Sequence, residues 1–357
     1  MDEGSSRTLN DVSGFEYLTS DDENDAANDV EFDESVDVDG HKVAELLEVI
    51  VSRSIRVDSR LLLLAVRRDW PHVILSLGHA KTPVDMNVRG KDGITPLMLA
   101  AREGRLACLQ ALLQSGKVDI DAADDAQRTA VMHAAYRGQL HCVQKLLKMG
   151  ASIDVETVDG TTLLMASCYG GLAPVAQLLL NNGAEVDAAN ANGFTALLFA
   201  ASEGSQECVN VLLQAGANIN IASQGLLTTL MAASSGGLPD FVVYLLTHGR
   251  KKDLESKDEN GWTALMHAAV AGEDQCAAIL LKAGADINVI GTDGFALLSV
   301  AVVGNLVWLV RHILEHGDRR LFNHKDSHLM SPVHEACSTG NDQCLKVTLF
   351  YYYICNI

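Results

Sequence analysis

From Thr95 to Ser331 the chain repeats itself. Thr95, Thr129, Thr162, Thr195, Thr228, Thr263, Ala296 and Ser331 open eight matching blocks, spaced 34, 33, 33, 33, 35, 33 and 35 residues apart. No other feature restricts the fold so strongly. A block of this length forms one supersecondary unit that cannot bury its own apolar face, so only stacking against its neighbours closes a core. The copies at 92–116 (DGITPLMLAAREGRLACLQALLQSG) and 260–284 (NGWTALMHAAVAGEDQCAAILLKAG) both read helix, Gly, helix, Gly.

One block shows the physics. Thr95 carries a hydroxyl suited to capping a helix, and Pro96 fits the first helical position. Leu97, Ala100 and Ala101 form a narrow apolar stripe whose alanines let a neighbouring helix approach. Gly104 ends the first helix. Leu109, Leu112 and Leu113 give the second its buried face, and Gly116 stops it. Aromatic residues make up 5% of the chain against 48% apolar overall, which favours small close-packed helices over an aromatic-centred sandwich.

These blocks resemble the ankyrin repeat family from Asp92 to the C-terminus. SRLLLLAVRRDWPHVILSL at 59–77 keeps the register without an Asp-Gly turn and looks like a degenerate N-terminal capping repeat. The resemblance implies a mostly α fold. The expected architecture is an ankyrin-repeat α-solenoid of about eight stacked helix-turn-helix units with β-hairpin loops. Its first unit is degenerate, its last is truncated, and a disordered acidic N-terminus precedes it. The expected boundaries are 1–40 for the acidic tail, 41–58 for an N-terminal helix or linker, 59–350 for the array and 351–357 for an aberrant C-terminal tail. A helix-like stretch at 43–55 is expected to pack before the array.

Three departures from the family pattern carry expectations. Met98, Met132, Met165, Met231 and Met266 stand where the family's Thr-Pro-Leu-His signature has His, which survives only at His334. Met is expected to fill that column with adaptable apolar bulk and to lose the local hydrogen bond of His. The block opening at Thr228 lacks its Asp-Gly turn, so an irregular hairpin is expected there. The final helix runs into TLFYYYICNI, which looks like a broken repeat.

Charge is uneven. Residues 1–40 hold 14 of the 46 Asp and Glu residues and one of the 27 Lys and Arg residues, so most of the net −19 sits in the tail. Without a basic stripe to neutralise phosphates, nucleic acid is not an expected partner. The start MDEGSSRTLNDV has no basic then apolar run, so no signal peptide is read. HILEH at 312–316 spells the H-x-x-E-H of a zinc-peptidase helix. In register, however, Ile313 and Leu314 take core positions at the end of a second helix, so no metal site is expected. Cys108, Cys142, Cys208, Cys276 and Cys344 recur thirteen residues after the block openings, as small buried hydrophobes. Reduced buried cysteines fit the cytosol or nucleus. The apolar stretches at 160–184 and 291–310, with Asp293 the one charged residue between them, are helix-turn-helix in register, not membrane spans. No catalytic motif and no cofactor site is visible.

The resemblance places function on the concave face, built from hairpin tips and the exposed side of the first helices. The position before each opening residue holds Ile94, Arg128, Phe194, Leu227, Trp262 and Phe295, and the first helices present Arg102, Tyr136, Arg137 and Tyr169. Trp262, the largest of them, is expected to be an exposed anchor. Two modifications are expected: phosphorylation of Ser20 in its acidic setting, and hydroxylation of Asn288, which the resemblance implies from LLKAGADIN, with Asn220 a weaker match. The functional expectation is a non-catalytic protein-interaction module or adaptor. The alternative is the regulatory ankyrin part of a larger enzyme, channel or signalling protein.

Overall fold

The computed structural model describes residues 60–79 and 84–355. The acidic tail, the 43–55 helix, the 41–58 linker and Ser20 lie outside the described residues. The rest is a run of nine antiparallel helix pairs. That is one more unit than expected, because each of the eight opening residues has its own pair and the degenerate unit adds a ninth. The added pair is Arg60–Arg67 and Pro71–Gly78. Repeats are counted from Thr95, so repeat one has Pro96–Arg102 as its first helix and Leu106–Gln114 as its second. Repeat eight closes with Asp342–Cys355, a helix that runs five residues past the expected array boundary.

First helices stack on first helices to make an inner layer, and second helices make an outer one. The inner helices are almost wholly buried: Ala100, Ala134, Ala166, Ala200, Ala233 and Ala268 are all at 0% exposure. Glycine sets how closely this layer packs. A Cβ on Gly170, Gly236 or Gly304 would lie 2.0, 2.0 and 1.8 Å from the carbonyl oxygens of Ala135, Ala201 and Ala269. No side chain fits there, so at every second repeat the inner helices are in backbone contact.

Four of the helix starts are capped as the opening residues suggest, while the Thr129 and Thr263 hydroxyls make no cap hydrogen bond. The Thr95, Thr162, Thr195 and Thr228 hydroxyls accept from the backbone N–H three residues on, at 3.3–3.4 Å. The methionine column differs from expectation. The Thr95 and Thr228 backbone N–H groups donate to the Sδ atoms of Met98 and Met231 at 3.4 Å, just as Ser331 N–H donates to His334 Nδ1 at 3.3 Å. In repeats one and five the thioether therefore takes over the reciprocal contact of the His it replaces, more weakly, while staying buried in the core; Met132, Met165 and Met266 fill the column without it.

Among the described residues there is no extended strand. Single antiparallel bridges hold five hairpins: Ala123 to Thr129, Glu156 to Thr162, Ala189 to Thr195, Ala222 to Thr228 and Ile290 to Ala296. Repeat five keeps its hairpin without Asp-Gly, contrary to expectation. Leu226 takes the left-handed turn position at φ 61°, as Gln127 does in repeat two at φ 62° and Leu329 in repeat eight at φ 62°. The ladder around it forms normally, with Ser223 N–H donating to the Leu227 carbonyl at 3.0 Å.

Four of the turns are also tied by the side chain that precedes them. Asp124 Oδ1 accepts from Ala126 and Arg128 N–H at 3.0 and 2.7 Å. Asn190, Asp258 and Asp326 repeat this arrangement. In repeats two and six the second carboxylate oxygen meets a buried histidine nine residues on: Asp124 with His133 and Asp258 with His267, each at 3.0 Å. In repeat eight the same position is Glu335, close enough to Asp326 for the two carboxyls to interact.

Candidate partner-binding face

The inner face of repeats two to four carries a line of touching aromatic rings. Tyr136 and Tyr169 sit at the same register at the ends of the first helices Ala130–Tyr136 and Leu163–Tyr169. Their rings meet edge to face at 5.8 Å. Tyr169 meets Phe199 edge to face at 6.0 Å, and Phe199 meets Phe194 at 5.3 Å. Three of the four rings are half-buried, and Phe199 is the buried link. Packing of this kind holds each ring in place while leaving its outer side to solvent, a state that binds with little loss of side-chain freedom.

The line is amphipathic. Burial pushes the Tyr136 phenol up to about 12, against the opposing effect of a hydrogen bond with Thr161. Burial also raises Tyr169, and the Glu203 carboxylate adds to the rise while Arg137 counters it. Partial burial raises the Glu203 carboxyl in turn. Arg137 and Glu203 thus stand on either side of Tyr169, and both are exposed. The repeat-three hairpin tip adds Val158 at 74% exposure.

The other expected contact residues are distributed differently. Ile94, Leu227 and Phe295 are half-buried and packed on the core. Arg102 is half-buried. Arg128 is held by Asp124, its Nε donating to Oδ2 at 2.8 Å. Trp262 is not an exposed anchor. It is 1% exposed, and its indole N–H donates to Asp293 Oδ2 of the next repeat at 2.8 Å. Its ring lies against His267 and Phe295 at 5.8 and 6.3 Å. The reason is Gly291. That position holds Asp, Asn, Thr or Ser in repeats two to six and eight, but a Cβ on Gly291 would lie 2.9 Å from Trp262 Cδ1. The indole shares the space left by the missing side chain in repeat seven with Asp293 Oδ1 and the Asn260 carbonyl oxygen.

A family model for ankyrin repeats matches the chain in three copies, over residues 62–157, 149–223 and 222–291. The chain belongs to the ankyrin repeat family. Repeats of this family are non-catalytic modules that serve protein–protein interaction, and they imply protein partners. The chain is also similar to the tyrosine-protein kinase HTK16 of Hydra vulgaris, 28% identical over 101 residues. That alignment covers 28% of this chain, and the chain spans about 13% of the length of that relative.

HILEH ends the helix Val307–His316 of the array. Ile313 and Leu314 are buried as the register requires, and the His312 and His316 rings stack on each other at 4.5 Å. Among the described residues, no group of three or more His, Cys, Asp or Glu is placed to hold a metal ion, and no helix is long and apolar enough to cross a membrane. The five recurring cysteines are buried. Burial, helped by a hydrogen bond to Asp69, pushes the Cys108 thiol up to about 12, so it stays a thiol rather than a reactive thiolate.

Proposed function

We propose that this ankyrin array is a non-catalytic interaction module that holds a protein partner on the inner face of repeats two to four. The observation that carries the reading is the ring line Tyr136, Tyr169, Phe199 and Phe194, with Arg137 and Glu203 beside it. Fixed, half-exposed aromatic rings next to a cation are the side chains that most often dominate a binding face. Ile94, Arg102, Leu227 and Phe295 extend the face to either side, while Trp262 supports it from beneath. Affinity capture with the full chain, compared with an Arg137→Glu/Tyr169→Ala variant of unchanged melting temperature, tests this. Proteins retained by the wild type are expected to fall at least tenfold with the variant. Equal retention would place binding elsewhere.

The similarity to a kinase over about a hundred residues supports a second reading, in which such an array is the regulatory part of a longer signalling protein. A transcript that continues the repeat-eight reading frame into a kinase domain would carry that reading. One that ends at Ile357 would remove it.

Asn288 is also proposed as a hydroxylation site. Its side chain is exposed, and its amide oxygen accepts from Asp318 N–H of the following loop at 2.8 Å. Asn220 is half-buried, with its amide oxygen enclosed. Mass spectrometry after co-expression with an asparaginyl hydroxylase is expected to find oxygen on Asn288 before Asn220. The reverse order counts against the assignment. Ser20 remains a proposed phosphorylation site, and phosphopeptide mapping of residues 8–41 after treatment with an acidophilic kinase would show it modified or exclude it.

A further inference from the structure

Repeats five and seven are twins in a feature the other repeats lack. Both are 35 residues long, and both place the extra length after the second helix. Those helices, Pro239–His248 and Val307–His316, are ten residues long, where the second helices of repeats one to four and six have nine. Each ends on a histidine whose ring stacks on the aromatic residue one turn back, His248 on Tyr244 at 4.3 Å and His316 on His312 at 4.5 Å. Each is followed by a glycine in extended conformation, Gly249 (φ −83°, ψ −171°) and Gly317 (φ −82°, ψ 175°). The corresponding Gly116, Gly150, Gly183, Gly216 and Gly284 are all left-handed. The chain then makes a short 3-10 turn, Lys251–Glu255 in one case and Arg319–Leu321 in the other.

Both insertions are basic. Arg250, Lys251 and Lys252 occupy one, and Arg319 and Arg320 the other. Asp253 holds Arg250 and Asp318 holds Arg320. Lys251, Lys252 and Arg319 are exposed and have no carboxylate partner among the described residues. The same loop in other repeats is acidic or neutral: Asp119 and Asp121, Asp154, Glu185 and Asp187, and Asp286. Its one base, Lys117, is engaged with the Gly78 carbonyl at 2.9 Å.

The two basic loops share one edge of the solenoid. Asp286 N–H donates to Glu255 at 3.0 Å, and Asp318 N–H donates to Asn288 at 2.8 Å, so the loop of repeat six lies between them. Two interhelix steps separate them by roughly 16–20 Å. On the repeat six and seven side runs an open, largely apolar groove lined by Ala278, Leu281, Ala285, Ile287 and Trp308, with Lys282, His312 and one carboxylate, Asp286, also on its walls. Trp308 is 37% exposed there.

We infer that this edge is a two-point anchor for an extended acidic segment, and that the segment is the chain's own residues 21–34, DDENDAANDVEFDE. Charge complementarity selects it. Asp21, Asp22, Glu23 and Asp25 form one acidic run, and Asp29, Glu31, Asp33 and Glu34 a second. Asp25 and Glu31 are six residues apart, and an extended chain advances about 3.3 Å per residue, so their spacing matches that of the two basic loops. Phe32 lies within the second run and supplies an apolar side chain for the groove. Length permits the contact. The 26 residues from Glu34 to Arg60 reach at most about 86 Å when extended. Six repeat steps of roughly 10 Å separate the N-terminal pair from repeat six. The contact lies on the outer edge, so it stands independently of the inner-face reading.

Zero-length carbodiimide coupling of the full chain, followed by peptide mass spectrometry, tests the contact. Isopeptide links are expected between Lys251 or Lys252 and carboxylates of residues 21–34. They should form in the monomeric species and be lost near about 0.5 M salt, where charges are screened within a few ångströms. An Arg319→Ser/Arg320→Ser variant keeps both lysines but removes the second anchor, and its yield of these links is expected to drop at least threefold. Links from residues 21–34 scattered over Lys117, Lys145 and Lys148 would overturn the inference. So would links found only in a dimeric species, which would assign the segment to a second copy, or an undiminished yield in the arginine variant.

Discussion

Replacing Trp262 with alanine is expected to destabilise the array by about 3–5 kcal/mol, the cost of emptying a large aromatic site in a core. The indole is almost completely enclosed, and two contacts depend on it. Its N–H satisfies Asp293 Oδ2 across the repeat boundary, and its ring takes up part of the space that Gly291 leaves open. The loss should be concentrated between repeats six and seven, because each repeat in a solenoid is coupled mainly to its neighbours. Urea denaturation followed by circular dichroism is then expected to show either a lowered midpoint or a separate early transition. A midpoint within the error of the wild type would mean that the tryptophan is not core. Trp262→Phe should recover most of the packing but leave Asp293 without its donor, so a residual loss of about 1–2 kcal/mol is expected.

Asp124→Ala is expected to cost about 3–5 kcal/mol, as breaking a buried, hydrogen-bonded charge pair usually does. The carboxylate is 1% exposed and accepts from two backbone N–H groups, from Arg128 Nε and from His133. Burial alone would raise its pKa. The hydrogen bond from His133, the Arg128 backbone N–H and the charges of both side chains outweigh burial and hold it at about 2. A carboxyl depressed in the folded state stabilises fully above its ordinary value near 3.8, and that contribution disappears as pH falls through about 2. Burial also lowers His133, against the opposing hydrogen bond of Asp124, so protonation of histidine in the unfolded chain adds to acid sensitivity below about 6.5. Asp124→Asn retains the turn-capping oxygen, as Asn190 does in repeat four, and should cost less than half as much.

The matching pair in repeat eight behaves in the opposite sense. Burial first, and then the Asp326 carboxylate, raise Glu335 above its ordinary 4.5. A raised carboxyl stabilises fully below 4.5, and its contribution is lost as pH climbs through the raised value. Thermal melts across this range are expected to show that Glu335→Gln gains stability relative to the wild type as pH rises from 4.5 to 7. A pH-independent difference between the two proteins would contradict a Glu335 carboxyl raised by burial and by the Asp326 charge.

Much of this architecture was legible from one period and a few residue types. Thr at the block opening, Gly after each helix and the Ala-Ala pair of the first helix are each demanded by local backbone geometry, so their register located the helix pairs directly. The candidate face was legible only in pieces. Tyr136 and Tyr169 follow from the register of the first helices and Phe194 from the hairpin, but Phe199 is what joins them. Its position holds Leu, His, Ala, Val or Glu in other repeats, so nothing marked it. Trp262 was misjudged for a related reason. Its burial is decided by Gly291 and Asp293 of the next repeat, and a position-by-position reading treats equivalent sites as having equivalent surroundings. The glycine standing where the hairpins of repeats two to six and eight carry Asp, Asn, Thr or Ser was the available signal. The methionine column needed atomic detail as well, since only the Sδ positions show that the thioether replaces the histidine contact.

The central claim, that a partner is held on the inner face of repeats two to four, is tested most directly by site-specific photo-crosslinking. A benzophenone side chain placed at Val158, on the repeat-three hairpin tip, reports on the inner face. The same group at Leu178, exposed on the second helix Ala173–Asn181, reports on the outer face. The Val158 probe is expected to form a discrete adduct with a captured partner, the Leu178 probe is not, and Tyr169→Ala is expected to remove the adduct. An adduct from Leu178 with none from Val158 would contradict it.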